Sequence, residues 1–159
     1  MTQENLNKIA IDILKTNIYL SLATTDGKIP WIAPLFYCLD DDYNFYFISQ
    51  MESIHAMHVL KHPKVAFAIF DSHQPEGTGN GVQGLGIVNL LVDDTLVEGL
   101  KYYSTSFTKI TQENLSEPSP YRLFKLTINM VYILDPNATT DQRVDVFIKH
   151  PTSLQIDPQ

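Results

Sequence analysis

The stretch from Tyr43 to Phe70 limits the possible folds more than any other part of the chain. Tyr43 to Ile48 is a run of aromatic and β-branched residues with no Gly or Pro, which predicts a strand. Ser49 and Gln50 interrupt that run. Glu52 to His62 then carries helix-forming residues, with apolar groups at Ile54, Met57 and Leu60, and predicts a short helix. Pro63 cannot continue a helix and restrains His62 before it. Val65 to Phe70 is apolar and partly β-branched, the pattern of a buried strand. The unit is strand, helix, strand, with Ser49, Gln50 and Ser53 where the first strand hands over to the helix. A helix N-terminus carries unpaired N–H groups and partial positive charge, so this junction is a natural anion seat.

Upstream, Thr2 to Lys15 reads as an amphipathic helix, with Leu6, Ile9, Ile13 and Leu14 on one face and Thr2 as its cap. Ile18 to Ala23 and Ile29 to Cys38 read as two strands joined by a turn with the Asp26-Gly27 hairpin signature. Pro30 and Pro34 place the second of these at an edge or a bulge. Asp40, Asp41 and Asp42 form a solvated turn; they lack the spacing of a calcium loop. Downstream, Val82 to Val92 is a strand in which Gly84 and Gly86 suggest a bulge or a close backbone approach. Asp94 to Thr108 reads as a second amphipathic helix, with Leu96, Val97, Leu100, Tyr103 and Phe107 inward. Glu113 to Tyr121 is a polar connection, Phe124 to Leu134 a long strand, and Val144 to Ile148 a short one. About six strands with hairpin connections predict an antiparallel barrel with helices at its margins, a mainly β (α+β) fold. Residues 1–150 form one domain, and 151–159 a tail.

Charge and composition narrow the function. A net charge of −7 without a local basic run argues against nucleic acid, whose phosphates need clustered Lys and Arg. No apolar run is long enough to span a bilayer, and the polar start lacks the apolar core of a signal peptide. One cysteine, Cys38, leaves no internal disulfide and fits a reducing, cytoplasmic setting. With no cation nearby in sequence, Cys38 reads as a structural thiol rather than a nucleophile. His55, His58 and His62 fall on one helical face, but no Cys-His or HExxH pattern supports a metal. Gly79, Gly81 and Gly84 spell GxGxxG, yet a strand rather than a helix follows, so the dinucleotide fingerprint is rejected. Trp31 and Tyr37 suit either the core or a stacking and interface role. No Ser-His-Asp order or paired catalytic carboxylates stand out.

The run from Ile18 to Ile69 resembles the pyridoxamine 5′-phosphate oxidase-like, flavin-binding split-barrel family. The resemblance rests on Leu22-Ala23-Thr24 with Gly27, Pro30 and Pro34, on an aromatic strand ending at Ser49, and on Ser53, Leu60, Pro63 and Val65 in order. Gln83 three residues before Gly86 and the closing Val131 to Pro136 extend it, so it runs from about Asn5 to Asp135. It implies an antiparallel split β-barrel and a homodimer with flavin mononucleotide (FMN) in a groove where the subunits meet. By position, Ala33, Pro34, Leu35 and Phe36 would offer backbone contacts to the ring. Ile48 and Ser49 would lie along the ribityl chain and phosphate. Ser53, Ile54 and His55 would stand where the family has Ser-Arg-Lys on the phosphate, and Gln83 would approach ring or tail. Ile54 supplies no charge there, His55 is charged part of the time, and Lys61 lies almost two turns further on. The resemblance thus implies a flavin-dependent oxidoreductase acting on a small molecule. Pyridoxamine phosphate itself is not the expected substrate, because the Arg-Lys pair and a C-terminal basic cluster are missing. A cofactor-free or haem-binding barrel acting as sensor or carrier stays open beside it.

Overall fold

The computed structural model describes residues 1–103 and 109–148. Its elements are α1 (Gln3–Thr16), β1 (Tyr19–Thr25), β2 (Pro30–Phe36), β3 (Cys38–Leu39), β4 (Phe45–Gln50), α2 (Ile54–Lys61), β5 (Lys64–Phe70), β6 (Gly81–Leu90), α3 (Asp93–Gly99), a 3₁₀ turn (Glu113–Leu115), β7 (Tyr121–Leu134) and β8 (Arg143–Asp145). The strands pair antiparallel in the order β2-β1-β5-β6-β7-β4-β3, with β8 added beside β7. This sheet curls into a half-barrel flanked by three helices, the predicted split-barrel architecture.

The ends of that path meet in the chain at Tyr37. The single strand expected from Ile29 to Cys38 divides there. Pro30 to Phe36 pairs with β1, and Cys38-Leu39 turns away to pair with β4. Tyr37 anchors the bend: its N–H donates to Ile18 O at 3.1 Å and its hydroxyl to Leu14 O at 2.6 Å. Its buried ring meets Phe45 edge-on, so Tyr37 belongs to the core. β2 is paired on one side only, which accommodates Pro30 and Pro34.

Period-2 alternation sends one face of each strand inward. Leu20 and Leu22, Phe45 and Phe47, Val65, Phe67 and Ile69, and Phe124, Leu126 and Ile128 fill the interior. Phe47 stacks on Phe124 at 5.4 Å, and Phe45 meets Phe67 at 4.9 Å. α1, capped by Thr2, buries Leu6, Ala10 and Leu14 against this core. β6 and β7 slip register between Leu85 and Gly86, leaving Asn129 as the extra residue of a bulge. The expectation of a bulge and close approach at Gly84 and Gly86 is thus met.

Other boundaries shift for physical reasons. The helix expected over Asp94 to Thr108 ends at Gly99, and Phe107 lies outside the described residues, as does the tail 151–159. The last long strand begins at Tyr121, before the expected Phe124, because its first residues ladder with Gln50 and Ser49. The short strand is Arg143–Asp145, and Val146 and Ile148 beyond it are buried.

The largest difference concerns α2. Ile54, Met57 and Leu60, the apolar groups that mark this helix in the sequence, are 39, 46 and 48 % exposed, and Ala56 and Val59 are the buried pair. The helix packs against β1, β2 and β6, and its Ala56 and Val59 join the main core.

Candidate functional site

Two features among the described residues bear on a candidate site. The first is the junction of β4 and α2. Ser49 shares the inward face with Phe45 and Phe47, and Ser53 caps α2 by accepting from Ala56 N at 3.4 Å. His55 Nε2 lies 2.7 Å from Ser49 Oγ and 3.2 Å from Ser53 Oγ. The Ser53 hydroxyl donates to Gln50 O at 2.8 Å, so toward the imidazole it can only accept. That assigns the Nε2 proton to His55 and leaves Nδ1 as its acceptor. Burial, with a smaller contribution from the charge of His58, holds His55 below its ordinary value of 6.5, so it is neutral at pH 7.

This shift has a consequence for stability. The unfolded chain takes up a proton near 6.5 and the folded chain only at lower pH. Stability conferred by neutral His55 is complete above 6.5 and declines as pH falls through that value toward the folded pKa. Urea unfolding should therefore show a loss between pH 7 and 5 that His55→Gln flattens. An identical slope in the variant would show that His55 is not the titrating group.

The three α2 histidines do not converge. His55 engages Ser49 and Ser53, the His58 Nδ1 lies 3.1 Å from Thr24 Oγ1, and the His62 ring lies beside Gly27 in the β1–β2 turn. Among the described residues no group of three or more His, Cys, Asp or Glu is placed to hold a metal ion. In the acidic triplet, Asp40 is buried and accepts from Asn44 N at 2.8 Å, Asp42 N at 3.0 Å and Tyr46 OH at 3.2 Å, with Lys125 Nζ at 3.1 Å. Burial pushes its carboxyl up, but the Asn44 and Lys125 donors outweigh this and hold it below the usual range. It is a staple of the β3–β4 turn.

The second feature is a trough on the outer face of the sheet. Register aligns Ile32, Ala23, Ala66, Leu85 and Met130 in one cross-strand row, and Pro34, Ser21, Ala68, Gln83 and Tyr132 in the next. The small residues of β1 and β5 form the floor, and the bulky residues of β2, β6 and β7 form the walls. Two adjoining grooves of about 470 and 360 Å³ occupy it. Ile32, Leu85 and Met130 are 66, 45 and 48 % exposed, so an apolar rim faces outward. Trp31 is exposed on the same strand rather than part of the core.

The expected site residues therefore divide into groups. Ser49, Ser53 and His55 are brought together, with Ile54 exposed beside them. Ile48 packs outward into the cluster of Tyr46, Leu91 and Leu96. Ala33 and Leu35 are buried, so only their backbone is available, and Phe36 meets Tyr19 and Tyr103 edge-on. Gln83 stands in the trough, three strand steps, or about 14 Å, from Pro34. Sequence reasoning missed Arg122, a buried guanidinium whose Cα pairs with Ser49. It is committed to Ser119 O at 2.5 Å, Tyr121 O at 2.7 Å and the Glu117 carboxylate. The small-residue floor was also missed. Its signal was the period-2 spacing of Ser21 with Ala23 and of Ala66 with Ala68.

No helix among the described residues is long and apolar enough to cross a membrane. No curated protein is significantly similar to the chain in sequence. Among solved structures, a haem binding protein from Mycobacterium smegmatis superposes with a TM-score of 0.70 at 14 % identity, over 88 % of this chain and 57 % of that one. General Stress Protein 26 from Bacillus anthracis gives 0.63 at 16 % identity, over 89 and 99 %. A haem storage protein from Vibrio cholerae gives 0.62 at 14 %, over 84 and 95 %. At such identities the likeness is one of fold. The profile described as pyridoxamine 5′-phosphate oxidase matches residues 9–135, from within α1 to the end of β7. With that match spanning most of the chain and its antiparallel half-barrel, the chain belongs to the pyridoxamine 5′-phosphate oxidase family.

Proposed function

We propose that this chain is a homodimeric small-molecule-binding split barrel whose outer sheet faces meet and hold a flavin-class ring in the trough between them. The observation that carries this reading is the floor of Ser21, Ala23, Ala66 and Ala68 between apolar walls. Four small side chains on adjacent strands leave a flat, shallow surface, and a planar ring covers such a surface with little loss of contact. The exposed rim of Ile32, Leu85 and Met130 suits burial against a second copy, and members of the family are commonly dimeric. Within one chain Gln83 stands on the outer face whereas Ser49 looks inward, so a ligand touching both would be shared between copies.

FMN is the cofactor the resemblance implies, and its two parts fare differently here. The ring fits the trough. The phosphate does not fit the α2 N-terminus, where no Lys or Arg occurs from Tyr43 to Leu60 and the His55 Nε2 proton is taken by two serines. A bound flavin supplies hydride or electron transfer, and the protein's part is to position the ring and exclude water. The haem reading left open by the sequence has two haem-named structural neighbours beside it, but the divergent α2 histidines give it no support.

Absorbance of the purified protein, followed by fluorescence titration with riboflavin and FMN, tests the reading. Saturable quenching at micromolar concentration is expected. A Soret band with hemin and no flavin quenching would contradict it.

A further inference from the structure

We propose that the ligand of this site carries no phosphate: the seat at the start of α2 favours the uncharged, dephosphorylated form of a flavin-class compound. The inference rests on the flavin reading above and sharpens it to one ligand class. Two of the side chains a phosphate oxygen would seek at α2, Ser53 and His55, already spend their protons on neighbours. The Ser53 hydroxyl proton is on Gln50 O, and the Nε2 proton of His55 is directed to the two serines. Ser53 itself meets the Ala56 N–H that a bound anion would otherwise take. What remains is neutral: the Ser49 hydroxyl proton and the Ile54 and His55 N–H groups, with the His55 Nδ1 lone pair, an acceptor that repels an anion, and no cation among them.

Charge points the same way. Glu52, exposed and immediately before the cap, places a carboxylate at the helix's positive end. Lys61 stands at the opposite end of α2, and Arg122, the ladder partner of Ser49, is tied to Glu117 and two carbonyls. The half-exposed Ile54 adds an apolar contact where a cation would be needed. A dianion brought here would lose hydration and gain no counter-charge. Hydroxyl groups of a neutral tail lose far less and can donate to Nδ1.

The test compares riboflavin and FMN with the intact chain under one set of conditions. Each charge-assisted bond to a phosphate adds roughly tenfold or more in affinity, so a cationic seat would favour FMN strongly. The expected result is riboflavin binding at least as tightly as FMN, within about threefold. Ile54→Arg and Glu52→Gln, both at exposed positions, should each shift selectivity toward FMN, the former by about tenfold. FMN binding more than about tenfold tighter than riboflavin in the unmodified chain would overturn the inference while leaving the flavin reading standing. Selectivity unmoved by either variant would overturn the placement of the tail at α2. Binding of neither compound would overturn the flavin reading, and the inference with it.

Discussion

Gly84→Val should lower the thermal midpoint by roughly 6–12 °C, the shift that about 3 kcal/mol produces in a chain of this size. Gly84 points inward from β6 opposite Phe67, whose ring lies across the place a side chain would fill. A Cβ built there would stand 2.3 Å from Phe67 Cζ and 2.6 Å from Met130 O. The ring could swing only into Phe45, which it meets at 4.9 Å, and the carbonyl belongs to the β7 backbone beside the bulge. Neither neighbour yields cheaply in a close-packed interior. Thermal unfolding followed by circular dichroism gives the value. A second substitution, Phe67→Leu, should recover part of the loss, because it removes one of the two clashes and leaves the other. A shift below about 2 °C would mean that β6 does not sit under Phe67 as described.

If the outer faces pair around a flavin as proposed, Leu85→Glu should leave the fold intact, yield a monomer and abolish flavin binding. Leu85 is 45 % exposed and joins the small floor to Met130 in the outer row. In a single copy the new carboxylate meets water, so secondary structure and thermal midpoint should hold. In a two-fold dimer each copy brings the same charge into an apolar contact, and such like-charge juxtaposition costs several kcal/mol. Light scattering reads the mass, and flavin quenching reads the site. A variant that stays dimeric would place the interface elsewhere. A monomer that still binds flavin would show the trough to be complete within one chain.

The fold was largely legible because its signals are local. Asp26-Gly27 announced the β1–β2 turn, and the structure shows why: Asp26 accepts from Lys28 N and Ile29 N, both at 2.8 Å, while Gly27 adopts φ +93°. Alternating residues revealed most strands, and Pro63 stopped α2 near the expected place. The inward face of α2 was not legible. Ile54, Met57 and Leu60 form the stronger apolar stripe, but Ala56 and Val59 are the residues that are buried. Which side of the helix is buried is decided by how it docks on β1, β2 and β6, which hydropathy does not encode. Tyr37 escaped notice as the point where one strand changes partners, since both halves of its segment are equally strand-like.

The candidate site shows the same division. Ser49 and Ser53 lie close in sequence, so a strand ending in a capped helix placed them at one junction, while His55 entered only through the resemblance and its bonds to both serines were not foreseen. The trough needs the register of β2, β1, β5, β6 and β7 together, and those strands are spread from Tyr19 to Leu134. Gln83 was assigned to the right strand, but only the pairing shows that it stands beside Ala68 and Tyr132. Arg122 gave no signal as an isolated basic residue in a β pattern. Its importance comes from its place opposite Ser49 and from the groups that already hold it.

Sedimentation velocity in the presence of riboflavin, recorded at both protein and flavin wavelengths, tests the shared trough most directly. The flavin signal should move with a protein boundary at twice the 18.1 kDa chain mass. A boundary at the single-chain mass, or flavin that stays behind while a dimer sediments, would contradict a ring held between two copies.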